Sequence, residues 1–194
     1  MEADWSVALG AGDPVIIVPW AASAEDIHQC KFIDLRRDPG LIDQIAEARA
    51  KPALRAALLL LNGPASPLWT AKCDGWASSA GDGCYDPYEM NAEPEETLFG
   101  AGSYVDLLPR DSTLLSSFGR QERWIRVMTE TLRVIPRRAA RVEFVLRRAE
   151  VDSGPGFAVT WFVEGCGATV QRAEQAWGEA FDRALGVIMD IRLM

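Results

Sequence analysis

The chain has 194 residues, of which 48% are hydrophobic and 25% are charged, and its formal net charge at pH 7 is -8. This length favours one domain that buries enough surface to fold without disulfides or metals. The negative charge argues against nucleic-acid binding, which needs positive potential. The longest apolar runs are far shorter than the roughly 20 residues that span a bilayer, so we expect no membrane insertion.

The first thirteen residues, MEADWSVALGAGD, are acidic and lack a basic segment followed by an apolar one. A secretory signal would have those two segments, so we expect a cytoplasmic protein. Its four cysteines are then expected to be reduced thiols. Only Lys31, Lys51 and Lys72 are lysines among the 20 basic residues, and alanine is abundant, which is typical of a GC-rich bacterial genome.

Two strands and a helical region are predicted next along the chain. The apolar run at 13–20 predicts a buried strand, and KFIDL at 31–35 predicts a second one. Asp38, followed directly by a proline, is a helix start signal. The helical pattern is interrupted at Pro52 and continues to Asn62.

An acidic segment separates two further strands, predicted at 68–76 and 102–108. Residues 77–102 are rich in Gly, Ser, Asp, Pro and Glu, which predicts a long acidic loop or insertion. Its carboxylates do not follow the order of a calcium-binding loop. We therefore expect a solvated excursion that is held to the domain by a few aromatic anchors.

The clearest patterns lie in the second half of the chain. A helix is predicted over 112–134, and a second over 168–189. Between them, 141–151 and 156–167 alternate apolar and polar residues around the turn sequence DSGP, which predicts a β-hairpin. We predict an α+β fold: a single domain, 1–194, with a mostly antiparallel sheet of about five or six strands and helices packed on it.

The cysteines do not form the paired ligands of a structural zinc site. No C-x-x-C pair is present. His28 and Cys30 could form one half of a site with Cys73 and Cys84 as the other half. Four thiols that pack as small hydrophobic groups are the simpler interpretation, and we predict neither a metal nor a cofactor.

Four residues are candidates for catalysis, which defines the alternative hypothesis of a small enzyme. His28 is the only histidine, so any Cys–His or Ser–His mechanism must use it, with Cys30 beside it. Asp34 and Asp106 each follow an aromatic residue by two positions. On neighbouring strands they could face one cleft as an acid–base pair, or each could bond the following turn instead.

The hypothesis we favour is a binding or interaction protein without catalytic activity. Aromatic residues in and near the acidic segment are the candidate contacts, because large rigid rings are enriched at interfaces. They are Trp69, Trp76, Tyr85 and Tyr88. Another protein with a basic surface is the favoured partner, since the acidic segment would attract it.

Overall fold

The computed structural model describes residues 1–20, 31–79, 82, 85–93, 97–136 and 139–190. In this part of the chain six strands form one sheet: β1 (Glu2–Ala8), β2 (Ile16–Val18), β3 (Leu68–Ser79), β4 (Phe99–Pro109), β5 (Ala140–Val151) and β6 (Gly154–Gly167). The α-helices are α1 (Ala46–Ala50), α2 (Pro52–Asn62), α3 (Ser112–Leu115), α4 (Phe118–Arg133) and α5 (Val170–Asp190). Short 3-10 helices cover Pro39–Gln44 and Tyr88–Met90.

The sheet is mixed, with the strand order β1–β5–β6–β4–β3. β3, β4, β6 and β5 pair antiparallel in succession. β1 and β2 lie one after the other along the free edge of β5, and both run parallel to it. The α+β prediction is confirmed, but the sheet is not antiparallel throughout. Parallel pairing is possible here because a long crossover separates β1 and β2 from β5.

One face of the sheet, called the inner face below, is covered by α2, α4 and α5. Alternate residues of β5 and β6 point into this core and are fully buried: Val142, Phe144, Leu146, Val159, Trp161 and Val163. From α5, Phe181 stacks on Trp161 with ring centroids 4.5 Å apart, and Trp177 lies 5.2 Å from Phe181. The predicted hairpin and the predicted last helix are therefore confirmed.

The predicted strand at 31–35 is wrong. Within it only Lys31 makes an isolated β-bridge, and the chain then turns. The carboxylate of Asp34 accepts a hydrogen bond from the backbone N–H of Arg36, and the Asp34 carbonyl accepts from Arg37 and Asp38. A side chain that binds nearby backbone groups in this way favours a turn over a strand.

Other elements differ in length from their predictions. The strand expected at 13–20 shrinks to β2, because the prolines near its two ends cannot donate to a ladder. The helix expected over 112–134 is divided into α3 and α4. β3 reaches Ser79 and β4 begins at Phe99, so both ends of the segment expected as loop are strand.

None of the helices in the described ranges combines the length and the apolar character needed to cross a membrane.

Candidate functional site

The other face of the sheet, called the outer face below, holds a second and smaller apolar cluster. It is built from Ile16, Val18, Trp69, Ala71, Leu108, Leu115, Ala149 and Ala158. Two cavities open on the two sides of this cluster, and β2 contributes residues to both. The outer face therefore offers concave surface that the helices of the inner face do not fill.

One of these cavities, here named the Asp106 cavity, has a volume of about 390 Å³. Strands β4 and β6 supply four neighbouring residues of its lining, because the register pairs Tyr104 with Phe162 and Asp106 with Thr160. The ring centroids of Tyr104 and Phe162 are 5.6 Å apart. The prediction that Asp106 shares a face with Tyr104 is confirmed, as strand alternation requires.

Three longer side chains complete the charged and aromatic part of this lining: Trp20, Lys72 and Arg147. Trp20 is held in place because its Nε1 donates a 3.1 Å hydrogen bond to the carbonyl of Ala71. The ammonium of Lys72 lies 5.8 Å from the centroid of the Trp20 ring.

Asp106 is a carboxylate that is almost completely removed from water, with 7% of its surface exposed. The Thr160 hydroxyl donates to its Oδ1 over 2.7 Å, and Arg147 Nε donates to that hydroxyl oxygen over 3.0 Å. Burial raises the pKa of Asp106 to about 6, although the Thr160 hydrogen bond and the charges of Arg147 and Lys72 act in the opposite direction. Among the described residues, no lysine or arginine pairs directly with this carboxylate.

Tyr104 supplies a neutral hydroxyl to the same site. Burial is the main reason that its pKa is raised, and the nearby charge of Asp106 adds to this effect. The phenol therefore stays protonated near neutral pH. The Asp106 cavity thus combines one buried acid, two hydroxyl groups and an aromatic wall, which is a pattern typical of small binding sites.

Asp34 does not join Asp106. It lines the second cavity, where Arg36 donates to both of its carboxylate oxygens over 2.8 Å. The Arg36 hydrogen bond holds the pKa of Asp34 below its ordinary value. The structure therefore places the two aspartates in different cavities, and Asp34 makes the turn contacts of the alternative interpretation. His28 and Cys30 lie outside the described residues.

The aromatic binding candidates are mostly engaged in packing. Trp69 is buried and Trp76 packs directly over Gly102. Tyr85 packs over Gly100, and its hydroxyl donates to the carbonyl of Thr97 over 3.4 Å. Tyr88 is 73% exposed, so it is the candidate with free surface.

The two cysteines that the structure describes do not pair with each other. Cys73 and Cys166 are free thiols, and burial raises their pKa values to about 12 and about 11. A thiol is a poor nucleophile when its pKa is raised. Within the described ranges, no three His, Cys, Asp or Glu side chains come together as a metal site would need. Cys84 is outside these ranges.

Sequence reasoning identified Asp106 but missed the residues around it. Thr160 and Phe162 lie on the face of the hairpin that alternation assigned to solvent, as does Arg147. The signal that could have indicated them is Phe162 itself, an aromatic residue on the nominally polar side of a central strand. Such a residue needs a second surface to pack against.

Comparison of the chain with known protein families, with curated proteins and with solved structures finds no match.

Proposed function

We propose that this chain is a non-catalytic binding protein of the bacterial cytoplasm, and that it takes a cationic side chain of a basic partner protein into the Asp106 cavity. The observation that carries the proposal is the buried Asp106 carboxylate, which borders an open cavity and has no ion-pair partner among the described residues.

Among the described residues, no cationic group forms an ion pair with the Asp106 carboxylate. Burying an ionised carboxylate without a partner is costly, and an ammonium or guanidinium offsets that cost with charge and with donated hydrogen bonds. Thr160 occupies Oδ1, which leaves Oδ2 as the acceptor for an incoming donor. The rings of Tyr104, Phe162 and Trp20 can pack against the alkyl stem of a lysine or arginine.

The two basic residues of the cavity do not fill this role. Arg147 directs its Nε to Thr160 instead of to the carboxylate. Lys72 is exposed, with its ammonium near the Trp20 ring, so its repulsion of an incoming cation is screened by water. Together with Thr160, Arg147 fixes the orientation of Asp106 without neutralising it.

A protein is the favoured carrier of the cation because the whole molecule is acidic. A net charge of -8 attracts a basic surface and speeds encounter at low salt. Exposed Tyr88 adds aromatic surface of the kind that interfaces use. A cavity of about 390 Å³ has room for one long side chain.

The proposal can be tested with agmatine and butylamine, which are small probes with the head groups of arginine and lysine. Isothermal titration should show saturable binding to the natural chain and at least a tenfold loss in Asp106→Asn, since charge-assisted hydrogen bonds contribute about 1.5–3 kcal/mol. Asp182→Asn, which changes an exposed carboxylate on α5, should bind normally. Equal binding to Asp106→Asn would contradict the proposal.

The position of the Asp106 pKa favours a second candidate function. A carboxyl group with a pKa of about 6 can accept or donate a proton near neutral pH. An enzyme would then use Asp106 without Asp34, which lies in the other cavity. A ligand that titration identifies can be incubated with the protein, and its conversion to product can be measured by chromatography. Conversion that is lost in Asp106→Asn would favour this candidate over simple binding.

A further inference from the structure

The second cavity of the outer face has a volume of about 620 Å³. The apolar cluster of the outer face separates it from the Asp106 cavity. Three arginines line it, namely Arg36, Arg37 and Arg110, and we name it the arginine cleft. These three positive charges lie together in a chain whose net charge is -8.

Arg36 is held in one orientation by two different contacts. Its Nε and Nη2 donate to the two carboxylate oxygens of Asp34, each over 2.8 Å. Its guanidinium carbon lies 3.7 Å from the ring centroid of Trp69, which is buried. Among the described residues no partner is found for Nη1, so this N–H group remains available at a fixed position.

Arg110 is also fixed, but by neutral groups. Its Nε donates to the Leu68 carbonyl over 3.0 Å, and its Nη2 donates to the carbonyls of Asn62 and Gly63 over 2.8 and 3.1 Å. These contacts orient the guanidinium without cancelling its charge. Partial burial and, after it, the positive charge of Arg36 lower the pKa of Arg110, whereas the charge of Asp34 acts in the opposite direction.

Arg37 adds a third, solvent-exposed cation to the lining of the cleft. Its side chain is 85% exposed, and its Nε lies 3.4 Å from an oxygen of Asp34. The carboxylates of the lining are those of Asp34, which both Arg36 and Arg37 contact, and of Asp152 in the turn between β5 and β6. Positive charge therefore exceeds negative charge in the lining.

We propose that the arginine cleft binds the phosphate group of a small phosphomonoester. Guanidinium groups donate charge-assisted hydrogen bonds to phosphate oxygens, and the Nη1 groups of Arg36 and Arg110 have no partner among the described residues. A phosphate dianion carries more charge and more acceptor oxygens than a carboxylate, so it suits a lining with three arginines better. The volume of the cleft exceeds that of a bare phosphate and falls in the range of metabolite sites. Half-buried Phe32 offers apolar surface to the rest of the ligand.

The direct experiment is isothermal titration calorimetry of the full chain at low ionic strength. The ligands are adenosine monophosphate and inorganic phosphate. We expect saturable binding of the monophosphate that weakens as salt is added. Adenosine, which lacks the phosphate, should not bind. Absence of saturable binding, or equal binding of adenosine, would overturn the assignment.

The variant series separates this site from general electrostatics. Arg37→Gln removes an exposed side chain, so the fold should survive, and we expect monophosphate binding to weaken about fivefold or more. Arg123→Gln removes an exposed arginine of α4 on the opposite face and should bind as the natural chain does. Equal weakening in both variants would show an effect of net charge alone. Asp106→Asn should leave phosphate binding intact whether or not the amine site exists, so the two proposals fail independently.

Discussion

Replacing Asp106 by Asn should stabilise the folded protein near neutral pH. The pKa of this carboxyl rises from an ordinary 3.8 to about 6 on folding. Each unit of pKa corresponds to about 1.4 kcal/mol, so ionising Asp106 in the folded state costs about 3 kcal/mol. Asn cannot ionise, and its amide oxygen can still accept the hydrogen bond from Thr160.

The direction of the pH dependence follows from which state holds the proton. At low pH, Asp106 is protonated in both the folded and the unfolded chain. As the pH rises, the unfolded chain releases its proton near 3.8, whereas the folded chain keeps it until about pH 6. The natural protein therefore loses stability across this window relative to Asp106→Asn, and the loss is complete above about pH 7.

Urea unfolding followed by circular dichroism, at several pH values between about 4 and 8, measures this difference. The stability of Asp106→Asn minus that of the natural protein should increase by about 2.5 kcal/mol across the series, because at about pH 4 the unfolded carboxyl is already partly ionised. Asp182→Asn should show no such trend, because Asp182 is exposed on α5. A stability difference between Asp106→Asn and the natural protein that stays constant with pH would refute the reasoning, since it would mean that burial does not shift the Asp106 pKa.

Three further outcomes test the packing. Trp177→Ala should destabilise the protein by about 3–5 kcal/mol in urea unfolding, because the ring packs in the inner-face core; an unchanged midpoint would contradict this placement. Gly165→Ala should cost about 1–3 kcal/mol, since the added Cβ would overlap the backbone of Trp177. In Gly119→Ala, the matched control within a helix, the Cβ meets no atom, and stability should be unchanged or slightly higher. Cys73 should resist alkylation at pH 8 until the protein is unfolded, as peptide mapping would show.

Sequence patterns predicted those elements whose partners are close along the chain. The β5–β6 hairpin and α5 followed from alternation and helical periodicity, because each element buries one regular face. The 31–35 segment has the residues of a strand, but the Asp34 side chain binds the following backbone and turns the chain. β1 was missed because it is an edge strand with alternating small, charged and aromatic residues, and such a strand carries little apolar signal.

The candidate site shows the same limit more clearly. Asp106 was recognised as an acid on a strand, but its hydrogen-bond partner Thr160 is 54 positions away. Arg147 reaches the site only because β5 pairs with β6 in one particular register. No local pattern specifies that register. For this reason the sequence was compatible with Asp106 and Asp34 in one cleft, whereas the structure places them in different cavities.

The edge pairing of β1 has a consequence for the order of events during synthesis. Glu2 aligns with Arg141, so β1 has no docking strand until about 140 further residues have been made. At about 5–20 residues per second, that is an interval of about 7–28 s. Contacts of such high sequence separation form slowly and contribute late. We expect the hairpin and α5 to organise first, so that β1, although it is made long before β5, is among the last elements to reach its native position.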